Sequence, residues 1–207
     1  RGCADGGGTS VPSFPAFGTA VCSVSASTGD PPIVAVIGLK DSGKTTVAVA
    51  LVAELRRREN RVMVVKHGHR FNLDHQGTDS WRLKEEGGAE RVILAGPSNY
   101  ALMGDWGPGE ELSLAQLVAR YLPEADIVVA EGYKSAAVPK IEVHRPAAHP
   151  EPLYQRGSED AAHYLAIVTD GLALEADVPV LNINNTDLAS ELADLVERQI
   201  LGTSPGD

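Results

Sequence analysis

Two glycines, a lysine and a threonine at fixed spacing carry the first chemistry in this chain. They lie in Gly38-Leu39-Lys40-Asp41-Ser42-Gly43-Lys44-Thr45, which reads Gly-x-x-x-x-Gly-Lys-Thr. An apolar run, Ile33-Val34-Ala35-Val36-Ile37, precedes it, and a helical pattern starts at Lys44. That setting suits the phosphate-binding loop of a nucleoside triphosphatase. Gly38 and Gly43 let the backbone bend so that successive N–H groups converge on phosphate oxygens. The helix that begins there adds the positive end of its dipole. Lys44 places a point charge on the β- and γ-phosphates, and Thr45 offers a hydroxyl to Mg²⁺. Asp41, Ser42 and Thr46 complete the expected nucleotide contacts. The alternative is a glycine-containing turn that binds nothing; four fixed positions between strand and helix weigh against it.

Ile127-Val128-Val129-Ala130-Glu131-Gly132 is an apolar strand ending in a carboxylate. Ligands of a parallel sheet gather outside the carboxyl ends of its strands. Glu131 is therefore expected beside Thr45, holding Mg²⁺ directly or through water, or orienting a water. The alternative is a solvated glutamate. Asp126 starts the same strand and reads as structural.

Lys66-His67-Gly68-His69-Arg70 follows a second apolar strand and supplies donors for anionic groups. His67 and His69 are alternatively metal ligands, although no third ligand has a clear spacing, or surface residues. Asp74, Asp79 and Ser80 lie in the following loop, a candidate switch that senses the γ-phosphate or Mg²⁺. Guanine presents two adjacent donors, N1–H and its exocyclic amine, and one carboxylate accepts both; adenine has no such pair. Asp170, just past an apolar strand, is the candidate for that role against an ordinary turn aspartate. Asn182 and Asn184 are placed to flank the base.

These side chains need elements to position them. Strand signals at 33–37, 61–66, 91–95, 100–103, 126–130, 165–168 and 178–183 alternate with helical patterns at 44–58, 78–86, 113–122 and 186–200. The alternation predicts an α/β P-loop NTPase fold of three layers, mostly a parallel sheet with helices on both faces. Segments 91–95 and 100–103 predict an added β-hairpin across a Gly-Pro-Ser-Asn turn. Lys140–His144 alternates polar and apolar residues and predicts an edge strand, and 146–162 predicts a loop.

The chain of 207 residues is 43% hydrophobic, enough for one such domain over 31–203. Residues 1–30 are rich in Gly, Ser, Thr, Ala and Pro and read as a flexible N-terminal extension. Pro12 and Pro15 interrupt any signal-peptide core. A net charge of −10 weighs against nucleic-acid or membrane-surface partners, and no apolar run has transmembrane length. Cys3 and Cys22 make neither a disulfide framework nor a zinc site, so a cytoplasmic location is expected.

Taken together, GLKDSGKTT, VVKHGHRFNLDHQGTDSWRLKEEGGAE, DIVVAEGYK and PKIEVHR resemble the molybdopterin-guanine dinucleotide biosynthesis protein B family, MobB. The match runs over roughly 33–145 in the family's order, and weakly to the end. The resemblance implies a GTP-binding, Mg²⁺-dependent P-loop protein with slow GTPase activity. It implies a homodimer that assists a separate guanylyltransferase in attaching GMP to the molybdenum cofactor, with molybdopterin as a further partner. By resemblance Lys44, Thr45 and Glu131 carry nucleotide and Mg²⁺. Lys66, His67, Asp74, Asp79 and Ser80 fall on a second family motif, and Lys134 and Lys140 on a third. The family's usual Gly-Lys-Asp-Ser is here Gly77-Thr78-Asp79-Ser80, which makes Thr78 a helix cap. Two rival readings of the same loop are a small-molecule kinase, whose lid would be 146–162, and a non-catalytic nucleotide-sensing docking module.

Overall fold

A computed structural model of the chain describes residues 29–68, 71, 73–171 and 174–203. The expected N-terminal extension, 1–30, lies outside the described residues except for its last two. Six strands form one sheet: β1 (Ile33–Ile37), β2 (Val62–Lys66), β5 (Ile127–Glu131), β6 (Lys140–His144), β7 (Tyr164–Thr169) and β8 (Val180–Asn182). Their order across the sheet is β2-β5-β1-β6-β7-β8, and every pairing is parallel. β3 (Arg91–Ala95) and β4 (Tyr100–Gly104) make the separate antiparallel hairpin that the turn residues predict.

The two-residue period of β1 sorts its side chains onto opposite faces. Val34 and Val36 pack with Val47, Leu51 and Leu55 of helix α1 (Lys44–Arg57) and with Leu192 and Val196 of helix α4 (Leu188–Val196). Ala35 and Ile37 join the other face, against Leu114 and Val118 of helix α3 (Leu114–Tyr121). Each fully buried leucine or valine contributes about 1.5–3 kcal/mol relative to exposure, so a strand apolar on both faces is held at the centre. The expected three-layer α/β P-loop fold is therefore present.

Local signals set the helix starts. Ser113 and Gln116 form a reciprocal capping box at the start of α3. Thr78 accepts the Trp81 N–H at 3.2 Å and caps the short α2 (Asp79–Trp81). That helix runs on as a π-helical turn, Arg82–Glu86, and stops at Gly87-Gly88. At the far end of α1, Arg58 donates to Glu54, Asp194, Glu197 and Ser190, tying α1 to α4.

One expectation is corrected. Lys140–His144 is a central strand, between β1 and β7. Its alternating polar residues mimic a half-solvated strand, but all five residues are buried. Lys140 donates to Asp160 and lies 5.7 Å from the Tyr164 ring centroid. Glu142 accepts the Leu153 and Tyr154 N–H groups at 2.6 and 2.8 Å. Burial pushes the Glu142 carboxyl up, and those two donors oppose the shift. The segment 146–162, expected as a loop, contains a 3₁₀ turn (Glu159–His163) and packs across this strand.

Candidate functional site

All six strands of the main sheet point the same way, so their last residues share one edge. β1 leads into Gly38–Gly43. β5 brings Glu131 opposite Lys66 of β2 and Val36 of β1. On the other side, His144 of β6 aligns with Thr169 of β7, and Thr169 with Asn182 of β8. Arg145 and Asp170 are the next residues along the chain.

The loop requires its glycines. A Cβ on Gly38 would sit 2.3 Å from the Val143 carbonyl oxygen and 2.7 Å from Ser42 Oγ. Gly43 holds φ 94° as the N-cap of α1 and has no side chain with which to cap it. The first N–H groups of α1 are thus left for an outside acceptor. Ser42 Oγ is buried and has no partner, as is Arg145 Nε. A buried polar atom ordinarily finds a partner, and both of these adjoin the loop. Asp41 has φ 62°, and Thr46 is exposed on the first turn of α1.

Three lysines, Lys44, Lys66 and Lys134, interact beside this loop. Lys44 Nζ donates to the Leu39 carbonyl within the loop. Burial lowers the Lys44 pKa; Glu131 opposes that shift, and Lys134 and Lys66 reinforce it. Thr45 Oγ1 lies 3.1 Å from each Glu131 carboxylate oxygen, and Lys66 Nζ donates to one of them. Lys44, Thr45, Glu131, Lys66 and Lys134 therefore form one electrostatic group. The hydroxyl and carboxylate are hard oxygen donors of the kind Mg²⁺ takes alongside substrate phosphates. Bound there, Mg²⁺ would neutralise phosphate charge.

Four candidates, Lys140, Asp74, Asp79 and Ser80, are placed elsewhere. Lys140 is 1% exposed, at the amino end of β6, and serves Asp160. Asp79 and Ser80 stay with α2. Asp74 accepts from Thr78 Oγ1 at 2.6 Å and the His75 N–H at 2.8 Å, and the Thr78 bond chiefly holds its carboxyl below the usual range. His69 lies outside the described residues. Among the described residues no group of three or more His, Cys, Asp or Glu is arranged for a metal.

At the other side of the loop, Asp170 accepts from Arg145 Nη1 at 3.0 Å. Asn182 Oδ1 accepts the Asn184 N–H at 2.8 Å, so these two asparagines shape one turn at the end of β8. His149 Nε2 bonds the Lys40 carbonyl at 2.8 Å, and His144 Nε2 bonds the His149 carbonyl at 2.9 Å. Arg145, His144 and His149 are absent from the residues singled out by sequence. The edge-strand reading of β6 hid them; recognised as a central strand, it would have pointed to Arg145 by the rule that found Glu131.

A cleft of about 840 Å³ opens beside Lys66, between the end of β2, α2, β4, α3 and Tyr133. Phe71, Trp81, Trp106 and Tyr133 line it. His67 tilts against Tyr133 with ring centroids 5.2 Å apart, and its Nε2 lies 3.8 Å from Glu111. Lys84 donates to both Glu85 and Asp105 at its rim. No helix among the described residues is long and apolar enough to cross a membrane.

The family model for molybdopterin guanine dinucleotide synthesis protein B matches residues 33–170. The molybdopterin-guanine dinucleotide biosynthesis adapter protein of Haemophilus influenzae is 36% identical over 168 residues, 80% of this chain and 88% of that protein. The Escherichia coli adapter protein is 31% identical over 173 residues, 81% and 95% of the two chains. Among solved structures, a molybdopterin-guanine biosynthesis protein B superposes with a TM-score of 0.56 at 26% identity, covering 80% of this chain and 97% of that one. The Bacillus subtilis MobB structure shares the fold, with a TM-score of 0.60 at 20% identity over 83% and 99% of the chains. The chain belongs to the MobB family, and so to molybdopterin-guanine dinucleotide biosynthesis.

Proposed function

We propose that the chain binds GTP with Mg²⁺, hydrolyses it slowly, and acts as an adapter to the enzyme that attaches GMP to molybdopterin. The observation that carries this reading is the join of Thr45, Glu131 and Lys66 beside a glycine-bent loop that holds Lys44. The adapter role rests on the named relatives. Slow hydrolysis is expected because the group formed by Lys44, Thr45, Glu131 and Lys66 contains no glutamine or arginine to activate water or neutralise the transition state. Arg156, the internal arginine of 146–162, is paired with Asp177 at 2.6 Å, which disfavours a kinase lid there.

Titration with GTP and ATP, with and without Mg²⁺, tests the reading. Tight, Mg²⁺-strengthened GTP binding is the expected result, and equal affinity for ATP would overturn the guanine preference. In the same series Glu131→Gln is expected to lower turnover by about tenfold or more while GTP affinity changes little, since charge is lost where the reaction is stabilised. Equal turnover at saturating Mg²⁺ rules out that role.

The active form is proposed to be a homodimer. The hairpin leaves Ile93 66% and Tyr100 81% exposed, and its strands have free edges open to strand addition. Sedimentation equilibrium is expected to give twice the chain mass; a monomer at micromolar concentration would exclude this assembly.

A further inference from the structure

We propose that His149 is a positioning residue for the phosphate-binding loop: its ring holds the Lys40–Asp41 peptide turned so that the Asp41 N–H meets a bound phosphate. This rests on the phosphate-loop part of the proposed function and not on the base that the site prefers.

The polar face of β6 builds the support. Lys140, Glu142 and His144 lie two residues apart, so they share one face of a central strand. All three are buried, and each is bonded to the segment 146–162. Lys140 donates to Asp160, Glu142 accepts the Leu153 and Tyr154 N–H groups, and His144 Nε2 bonds the His149 carbonyl. Pulling the segment away would leave three buried polar groups unsatisfied, which costs more than the bonds themselves gain. The backbone of His149 is fixed on both sides: its N–H donates to the Arg145 carbonyl at 2.9 Å, and its own carbonyl accepts from His144 at 2.9 Å. The ring then reaches the Lys40 carbonyl, 2.8 Å from Nε2. A carbonyl oxygen only accepts, so Nε2 carries the proton.

The peptide that receives this bond is one that needs holding. Asp41 has φ 62°, in the left-handed region that a residue with a Cβ seldom adopts. The Lys40–Asp41 peptide is trans, so its C=O and N–H point opposite ways. Pinning the Lys40 carbonyl to His149 therefore aims the Asp41 N–H away from that ring. Phosphate binding requires successive N–H groups to converge. A flip of this one peptide would replace a donor with a carbonyl oxygen, which repels phosphate. The loop is thus seated on β6 twice. Gly38 packs against the Val143 carbonyl, where a Cβ would come within 2.3 Å, and Lys40 is tied down through His149.

The probes are inorganic tripolyphosphate, GTP and ATP, each with Mg²⁺, titrated calorimetrically into the full chain, His149→Ala and His149→Gln. A glutamine amide N–H stands as many bonds from Cα as histidine Nε2, so it can donate to the same carbonyl. His149→Ala is expected to weaken tripolyphosphate and GTP by about threefold to tenfold, the scale of one hydrogen bond. His149→Gln is expected to recover most of that loss. The Asp41 amide proton resonance is expected to move downfield when tripolyphosphate binds the parent or His149→Gln, and less in His149→Ala. This signature is read in folded protein, so it decides even where the alanine variant melts earlier. Unchanged affinity in His149→Ala overturns the inference and leaves the GTP reading intact. A glutamine variant as weak as the alanine one overturns it too, as does an Asp41 amide that does not respond in the parent. If His149→Ala loses tripolyphosphate affinity while the parent binds GTP and ATP equally, the inference holds and the guanine preference fails.

Discussion

Lys44→Ala is expected to remove tight GTP binding, by two orders of magnitude or more, while the protein stays folded. The loss corresponds to about 3 kcal/mol, the scale of charge-assisted bonds to phosphate oxygens. The structure explains why the fold survives. Lys44 is only half-buried, its ammonium bonds a carbonyl of its own loop, and burial lowers its pKa. Its burial and its repulsion by Lys134 and Lys66 are set against attraction to Glu131 and Asp41, so its removal leaves the local balance little changed. The melting temperature is therefore expected to hold. Calorimetric titration and a thermal melt of the same sample check both halves, and unchanged GTP affinity would falsify the phosphate-loop assignment.

Asp170→Asn is expected to reverse base preference. On the proposed reading, a carboxylate at the end of β7 would accept both donors of guanine, whereas adenine would leave it partly unpaired and turn a ring acceptor toward it. Discrimination of roughly 2–4 kcal/mol follows if the pair is desolvated. An amide at this position loses one acceptor and gains a donor, which matches the extra carbonyl of xanthine. The variant is expected to bind GTP more weakly and xanthosine triphosphate more tightly. Arg145 adds a structural signature, since its Nη1 holds Asp170 at 3.0 Å and its Nε is buried without a partner. A small loss of stability should therefore accompany the switch. Competition among GTP, ATP and XTP on both proteins decides it. If the parent prefers GTP and the variant keeps the same order, guanine is read elsewhere, and Asn182 and Asn184 are the next positions to test.

The sheet and its loop were legible because their signals are local. Apolar β-branched runs mark β1, β2 and β5, and the spacing of Gly38, Gly43 and Lys44 marks the turn between β1 and α1. Thr78 and Ser113 announce their helices through side chains that bond the backbone three residues on. β6 was misread because its polar residues find their partners far away in sequence, at Asp160 and at the Leu153 and Tyr154 amides. The same long reach concealed His149, whose bond to Lys40 joins segments that no periodicity links. Lys140 was grouped with the site through family resemblance, and burial against Tyr164 assigns it to the core. The aromatic cleft escaped notice for a related reason: its walls come from five separate elements.

The strand order has a consequence for synthesis on the ribosome. β1 pairs only with β5 and β6, so Ile33 waits for Val128. At translation rates of roughly 5–20 residues per second, that wait lasts on the order of 5–20 s, with β1, α1 and β2 already made and unpaired. The apolar strands are then exposed to other nascent chains, and long-range parallel pairing is intrinsically slow. Glu131 closes β5, so the strand that completes the sheet also completes the Thr45–Glu131 contact. The group of Thr45, Glu131 and Lys66 is therefore incomplete earlier in synthesis. On the proposed reading, nucleotide would stabilise the finished domain but would not chaperone the growing one.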